Sequence, residues 1–207
     1  MFKFAPVACY DTYFSLGYDA ETNPPSVRSN ALENSQALGK FLSTIEKRAF
    51  RRAQIATGNV DDALDIVQDA MLSLVNKYAG KDSQEWALLF HSILSSRIMD
   101  WHRRTAVRRR FGAWLGFANE DQATPEFEDV QTPGPEQILQ NNQSGAMLEK
   151  ALQLLPLKQQ QVFLLRAWEG MSEKETAQAM SCSVGAVKSH YSRARTFLRN
   201  ELEQERP

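Results

Sequence analysis

The chain predicts an all-α protein of two small helical domains joined by an acidic flexible linker, the C-terminal domain being a helix-turn-helix. Three observations carry this. Apolar residues recur at steps of three and four through two separate stretches, the spacing of a helix face rather than of a strand. A run with three prolines and no sustained apolar period divides the two stretches. The second stretch ends in two capped helices joined by a tight turn.

The first domain spans residues 35–110. Leu38, Phe41, Leu42, Ile45, Ala49, Ala53 and Ala56 trace one face of a first helix, and Thr57-Gly58-Asn59 breaks it before Asp61 caps the next. In that second helix Ala63, Val67, Ala70, Met71, Leu74 and Tyr78 make the buried stripe, which leaves Asp62, Asp65, Asp69 and Leu72 on the far side. An acidic row carrying an exposed leucine is either a solvated face or a dock for a basic partner helix. A third helix runs from Ser83 to Arg110, with Trp86, Phe90, Ile93, Arg97 and Trp101 on one side and Arg103, Arg104, Arg108, Arg109 and Arg110 following. Its aromatics read as core. Trp101, set among cations, also has the company that single-stranded DNA binders give a stacking residue.

Residues 111–144 form the acidic linker. Within it Ala123 to Pro135 holds three prolines and a glycine, a composition that cannot bury enough apolar surface to offset the entropy of ordering it. Residues 1–34 are an extension of unassigned role. Phe2, Phe4, Tyr10, Tyr13, Phe14 and Tyr18 are too aromatic for a plain tail, while Asn23-Pro24-Pro25-Ser26 breaks any long helix.

The second domain, residues 145–204, carries the most specific pattern. Its helix Lys158 to Trp168 stops at Gly170, the residue type that tolerates a left-handed helix end. Ser172 opens the next helix with Glu175 three positions on, a capping box, and Ser181-Cys182 turns the chain into a second N-cap, Ser183. In the last helix Val184, Val187, Tyr191, Ala194 and Leu198 form the buried stripe. Gly185, Ser189, Ser192, Arg193 and Thr196 face outward, flanked by Lys188, Arg195 and Arg199. Small residues and long cations on that side suit insertion into a major groove, with cations on phosphates and Ser, Lys or Arg on base edges.

The net charge of −1 hides a division along the chain. His91 to Arg110 holds six arginines against one aspartate, Phe111 to Glu149 seven carboxylates and no Lys or Arg, and Lys150 to Arg199 eight cations against three carboxylates. Two basic blocks separated by an acidic one imply two DNA-contacting modules and a connecting segment that itself avoids DNA. Several function classes are excluded. The longest apolar runs, such as Trp86 to Phe90, fall far short of the roughly 18 residues of a membrane span, and no secretory signal is visible, so no membrane insertion and a cytoplasmic location are expected. Cys9 and Cys182 form no CxxC pair and His91, His102 and His190 share no metal-ligand spacing, so neither disulfide nor zinc is expected. No phosphate-cradling glycine loop or nucleophile-base pair appears; no cofactor and no catalysis are expected.

Three segments resemble the extracytoplasmic-function type of bacterial RNA polymerase sigma factor. Asp62-Ala63-Leu64-Asp65-Ile66-Val67-Gln68-Asp69 is similar to the family's polymerase-binding motif, with Leu64 in place of the usual Glu. Ile93 to Arg104 resembles the segment that recognises and melts the promoter −10 element, with Leu89 where an aromatic is common and Ser96 at a frequent Asn position. Leu155-Pro156 through Leu198 closely resembles the domain that reads the −35 element. The resemblance covers roughly residues 38–202. It implies that Asp62, Asp65, Gln68, Asp69 and Leu72 dock on the clamp of the largest catalytic subunit of core RNA polymerase. It further implies that Arg97, Trp101, Arg103, Arg104 and Arg108 hold single-stranded −10 DNA, with the Lys77 to Glu85 loop forming part of a pocket for a flipped base. Lys188, Ser189, Ser192, Arg193 and Arg195 then read double-stranded −35 DNA. The resemblance leaves open whether an anti-sigma factor restrains the protein.

The main rival is a helix-turn-helix regulator that acts without polymerase, and a helical recombinase with a DNA-binding tail stands third. A regulator needs a receiver or ligand domain, whereas this N-terminal module is itself basic. A recombinase needs a nucleophile among convergent arginines, and no Ser or Tyr of the first module has that setting.

Overall fold

The computed structural model describes residues 25–114 and 137–204, and every regular element among them is helical. The chain runs α1 (Pro25–Thr57), α2 (Val60–Tyr78), α3 (Ser83–Trp114), α4 (Gln137–Leu154), α5 (Leu157–Phe163), α6 (Glu173–Ala179) and α7 (Val184–Gln204), with a π-helical turn at Leu164–Trp168 extending α5. The Pro-rich middle of the expected linker and the N-terminal aromatics lie outside the described residues, as do the side chains of Arg109 and Arg110. Three boundaries differ from expectation, one being the end of α3, which runs on to Trp114 rather than stopping at Arg110. Pro25, expected to help break a helix, instead stands at the start of α1, where its fixed φ and missing N–H are tolerated. At the other side of the linker, α4 begins at Gln137.

The connections explain why the first three helices end where they do. Gly58 takes a left-handed φ of 68° after α1. Asn59, not Asp61, caps α2: its Oδ1 accepts from the Asp62 N–H at 3.0 Å. Asp82 does the same for α3, accepting from the Gln84 N–H at 3.0 Å. The loop between α2 and α3 is therefore only Ala79 to Asp82, shorter than the Lys77 to Glu85 stretch expected.

Helices α1, α2 and α3 close one core around Leu38, Leu42, Leu74, Trp86, Phe90, Leu94 and Ile98. The buried line of α3 steps through Trp86, Phe90, Leu94 and Ile98, so Ile93 and Arg97 are only half-buried flanks of it. Each fully buried aromatic or aliphatic side chain contributes on the order of 1.5–3 kcal/mol. In the C-terminal half, Val162, Ala177 and Val187 hold α5, α6 and α7 together, while Leu152, Leu155, Leu164, Ala194 and Leu198 hold α4 to them.

These two groups of helices meet across a second face of α1. Ile55 inserts into the α4–α7 core, Leu157 packs on the N-terminal core, and Leu88 of α3 joins Leu165, Met171 and Ala179. Beside this apolar contact lies a polar seam. The fully buried Arg52 guanidinium donates through Nε to Gln161 Oε1 at 2.8 Å and through Nη2 to Ser95 Oγ. Its Nη1 lies 3.4 Å from His91 Nδ1. Because an arginine can only donate, Nδ1 is the acceptor and the imidazole proton sits on Nε2, 3.9 Å from Glu169 Oε2. Gln161 passes the chain on to Gln160, whose Nε2 donates to the Leu152 carbonyl at 3.0 Å. Burial lowers the Arg52 pKa to about 10, with Glu169 opposing the shift. Arg51 pairs with Glu149, a carboxyl that burial pushes up in spite of that pairing.

Burial, with Arg52 and Arg48 adding to it, lowers the His91 pKa to about 3. His91 is therefore neutral in the fold while the unfolded chain takes up a proton below about pH 6.5. Stability should fall as pH drops through that value, by about 2 kcal/mol between pH 7 and pH 5. Urea melts at the two pH values measure it, and His91→Gln should lose most of that slope.

Candidate nucleic-acid interface and docking face

The helix-turn-helix owes its geometry to three local devices. Gly170 ends the π turn at φ 71°, and the Met171 N–H reaches back to the Leu165 carbonyl at 3.0 Å. The capping box forms in full: Ser172 Oγ accepts from the Glu175 N–H at 3.2 Å and the Glu175 carboxylate accepts from the Ser172 N–H at 2.7 Å. Hydrogen bonding from the Ser172 hydroxyl, and then from the Ser172 N–H, holds the Glu175 carboxyl below its ordinary range. Ser181 then takes a left-handed φ of 48°, and Ser183 Oγ caps α7 by accepting from the Ala186 N–H at 3.1 Å.

On α7 the expected division holds. Val187, Ala194 and Leu198 are buried, Val184 and Tyr191 half-buried, and Gly185, Lys188, Ser189, Ser192, Arg193, Arg195, Thr196 and Arg199 exposed. At 100° per residue Ser189 and Arg193 lie on the crest, opposite the buried stripe, whereas Lys188, Ser192, Arg195 and Arg199 line its flank beside α6. That flank forms a shallow groove which also includes Glu173 and Tyr191. Glu173 was missed in the sequence, where it reads only as a first-turn acid. Its carboxylate sits 3.5 Å from Lys188 Nζ and leaves an acidic edge on an otherwise basic groove. Tyr191 does more than fill the core: Phe163 stacks on it at 6.0 Å, and the Arg166 and Arg195 guanidiniums approach its ring at 5.6 and 5.9 Å.

On α3 the five proposed DNA-contacting residues do not share one face. Arg97, Trp101, Arg104 and Arg108 fall within about 60° of one another, while Arg103 sits roughly 120° round the helix from Arg97. Arg103 is also paired with Asp100 at 2.5 Å. Arg97 is half-buried and donates to Ser73 Oγ of α2 at 3.1 Å. Trp101 is half-buried, packs against the first core and meets His102 edge-on at 5.0 Å. His102 in turn reaches the Ala56 carbonyl at 2.7 Å. Arg104 and Arg108 are exposed and form no ion pair among the described residues.

Helix α2 presents a different surface. Ala63, Ile66, Val67, Ala70, Met71 and Leu74 are buried. Opposite them Leu72, half its surface exposed, stands at the middle of the free face with Asp65, Gln68 and Asp69 around it, all exposed. Asp62 lies at the margin, half-buried. Asp61 belongs to this face too. Assigned as a cap in the sequence, it is released by Asn59 and is exposed; the signal was an Asn at the position where N-caps are preferred.

Two helical domains, the second a helix-turn-helix with a basic outer face, define the class of protein. Residues 145–198 match the family described as sigma-70, region 4. The chain is 32% identical over 143 residues to the RNA polymerase sigma-E factor of Streptomyces antibioticus, covering 69% of this chain and 71% of that one. It is 28% identical to the ECF RNA polymerase sigma factor SigD of Mycobacterium tuberculosis, over 80% of this chain and 77% of that one. Among solved structures, the sigma factor RpoE of Bartonella quintana, crystallised with the anti-sigma factor NepR, shares the fold at a TM-score of 0.53 and 24% identity, covering 81% of this chain and 98% of that one. This chain belongs to the extracytoplasmic-function class of sigma-70 RNA polymerase sigma factors. Among the described residues no helix is long and apolar enough to cross a membrane.

The left-handed Ser181 makes the turn between α6 and α7 sensitive to side-chain shape. A β-branched residue fits that conformation poorly, so Ser181→Val should destabilise the protein by roughly 1–2 kcal/mol. Ser181→Gly should not, and thermal melts of the two variants separate backbone strain from loss of the hydroxyl.

Proposed function

We propose that the chain binds core RNA polymerase and directs it to promoters, with residues 35–110 docking on the enzyme and holding the −10 element and residues 145–204 reading the −35 element. The observation that carries this reading is the exposed face of α2. A leucine surrounded by Asp61, Asp65, Gln68 and Asp69 is unexplained by the internal packing of the protein, since the buried residues of the helix lie on its opposite face. An apolar centre with an acidic rim suits a basic, partly apolar helical partner, as the polymerase clamp would be. On this reading nucleotide addition belongs to the polymerase and this chain supplies no catalytic group.

DNA contact divides by chemistry. The α7 crest brings small side chains close to a major groove, and its cations flank them at a reach suited to phosphates. On α3, Arg104 and Arg108 are free to meet phosphates, and the half-buried Trp101 keeps part of its ring available to an unpaired base. An anti-sigma factor, the partner named for the Bartonella quintana protein, is an expected regulator of this chain as well.

Reversing Asp65 and Asp69 to Lys should weaken binding to core polymerase and leave the fold intact, because both side chains point away from the core. Two close charge pairs contribute on the order of 1.5 kcal/mol or more each, enough to lose comigration on gel filtration at micromolar concentration. Unchanged comigration of the double variant favours the rival regulator that needs no polymerase.

Strand opening tests the −10 assignment. Because Trp101 is partly core, Trp101→Leu preserves apolar packing while removing the aromatic plane. It should impair opening of duplex promoters, with stacking contributing roughly 1–3 kcal/mol, and lose much less on templates already mismatched at −10. Permanganate reactivity of unpaired thymines reads this out, and equal defects on both templates assign Trp101 to packing alone.

A further inference from the structure

Among the described residues that line the groove between α6 and α7, Lys188, Arg195 and Arg199 are cations and Glu173 is the one carboxylate. It stands in the first turn of α6. Its Oε2 lies 3.5 Å from Lys188 Nζ of α7, with 41% and 63% of the two side chains exposed. Water and salt reach a pair this open, so it adds little to stability. The fold does not require it. What the pair does alter is the charge and the direction of a cation that the proposed function assigns to −35 DNA.

Both ends of the pair are held by rigid elements. The capping box of Ser172 and Glu175 fixes the start of α6, and the Ser183 cap fixes the start of α7. Buried Ala177 and Val187 lock the two helices together through Val162. Glu173 therefore meets Lys188 across the turn of the helix-turn-helix, and the geometry of that turn sets the pairing. Glu175, the other acid of α6, is committed to the Ser172 N–H.

When a helix-turn-helix sits on DNA, its second helix enters the major groove while its first crosses the backbone. Glu173, on the α6 edge, is then the groove residue whose charge repels the passing phosphates. A free lysine on that flank would favour the nearest phosphate, which carries no sequence information. An ammonium has three donors. With one directed to Glu173, the others are left for the bases, where guanine O6 and N7 are both acceptors in the major groove. The carboxylate also offsets one of the cations open to any duplex, which weakens sequence-independent binding.

We propose that Glu173 is a positioning residue that sets −35 specificity: it withholds Lys188 from phosphate and directs it to a base edge presenting acceptors, so that affinity for a wrong −35 sequence falls more than affinity for the right one. The inference rests on the reading of α7 as the −35 contact. It gives the acid in a basic groove the task of discrimination and makes Glu173 and Lys188 one functional unit.

Holoenzyme carrying the full-length chain is first used to select sequences from a duplex library randomised across the promoter region. The enriched sequence, and the same duplex with its −35 bases scrambled, serve as matched and mismatched probes, and affinities are measured by competition over a range of salt. Glu173→Gln should bind the mismatched probe roughly three- to tenfold tighter than the parent, with a salt slope steeper by about one, as one added phosphate contact gives. The ratio of matched to mismatched affinity should fall by roughly threefold or more. In a Lys188→Ala background the same substitution should leave both quantities where Lys188→Ala alone puts them, because no ammonium remains to be released. A ratio that Glu173→Gln leaves at the parental value overturns the inference. So does a full-sized gain on the mismatched probe when Lys188 is absent, since Glu173 then acts as a bulk charge. Either result leaves the sigma-factor reading intact, whereas a parent holoenzyme that enriches no sequence overturns that reading and the inference with it.

Discussion

The burial of one guanidinium constrains the whole arrangement of helices. Arg52 is fully buried, and a cation taken out of water is tolerated only when its donors are met in good geometry. Its partners come from two other helices, Ser95 and His91 from α3 and Gln161 from α5. Satisfying Arg52 therefore orients α3 and α5 on α1 at once. The cost is visible in Arg52 and its neighbour His91, whose pKa values are both lowered with desolvation as the leading cause. Gln160 extends the constraint to α4 through the Leu152 carbonyl, so each of the four helices around the seam is tied to a specific atom rather than to a generic apolar surface.

Around that seam each exposed surface keeps its own chemical character. The α2 face is acidic with an apolar centre, the α7 face basic with small residues at its crest, and the far end of α3 basic. Opposite charges on the outer faces steer partners of opposite kind without requiring them to compete for one surface. The same logic explains why Glu173 sits beside Lys188 at the edge of the α7 groove. An exposed pair of this sort adds little to stability, but it biases where the ammonium points and which part of the groove attracts a phosphate.

How much of this was legible in the sequence depended on whether a feature is local. The capping box at Ser172 and Glu175, the Ser183 cap, the left-handed Gly170 and the buried stripe of α7 are all set within a few residues, and the amino-acid types announce them. The choice of Asp61 over Asn59 as the α2 cap failed because both are capping residues two positions apart, and only the onset of the hydrogen-bond ladder separates them. On α3 the sequence pattern reads a stripe through Ile93 and Arg97, whereas the buried line runs through Leu94 and Ile98. The two are adjacent on the helix wheel, and which one turns inward is decided by where α1 and α2 lie. The second face of α1 was invisible for a different reason: Arg48, Arg51 and Arg52 have the look of a solvated cationic face, and nothing in their own spacing reveals the carboxylates and amides that cover them about a hundred residues later.

That last failure bears on how the two domains are joined. An apolar interface between them would have been legible as a second stripe on α1, and it would also have been hard to part, since its exposed surface would be unfavourable in water. A seam of arginines, glutamines and carboxylates, set beside the apolar contacts of Ile55, Leu157 and Leu88, specifies one geometry through directional bonds. The polar character of that seam is what hid the contact from sequence patterning.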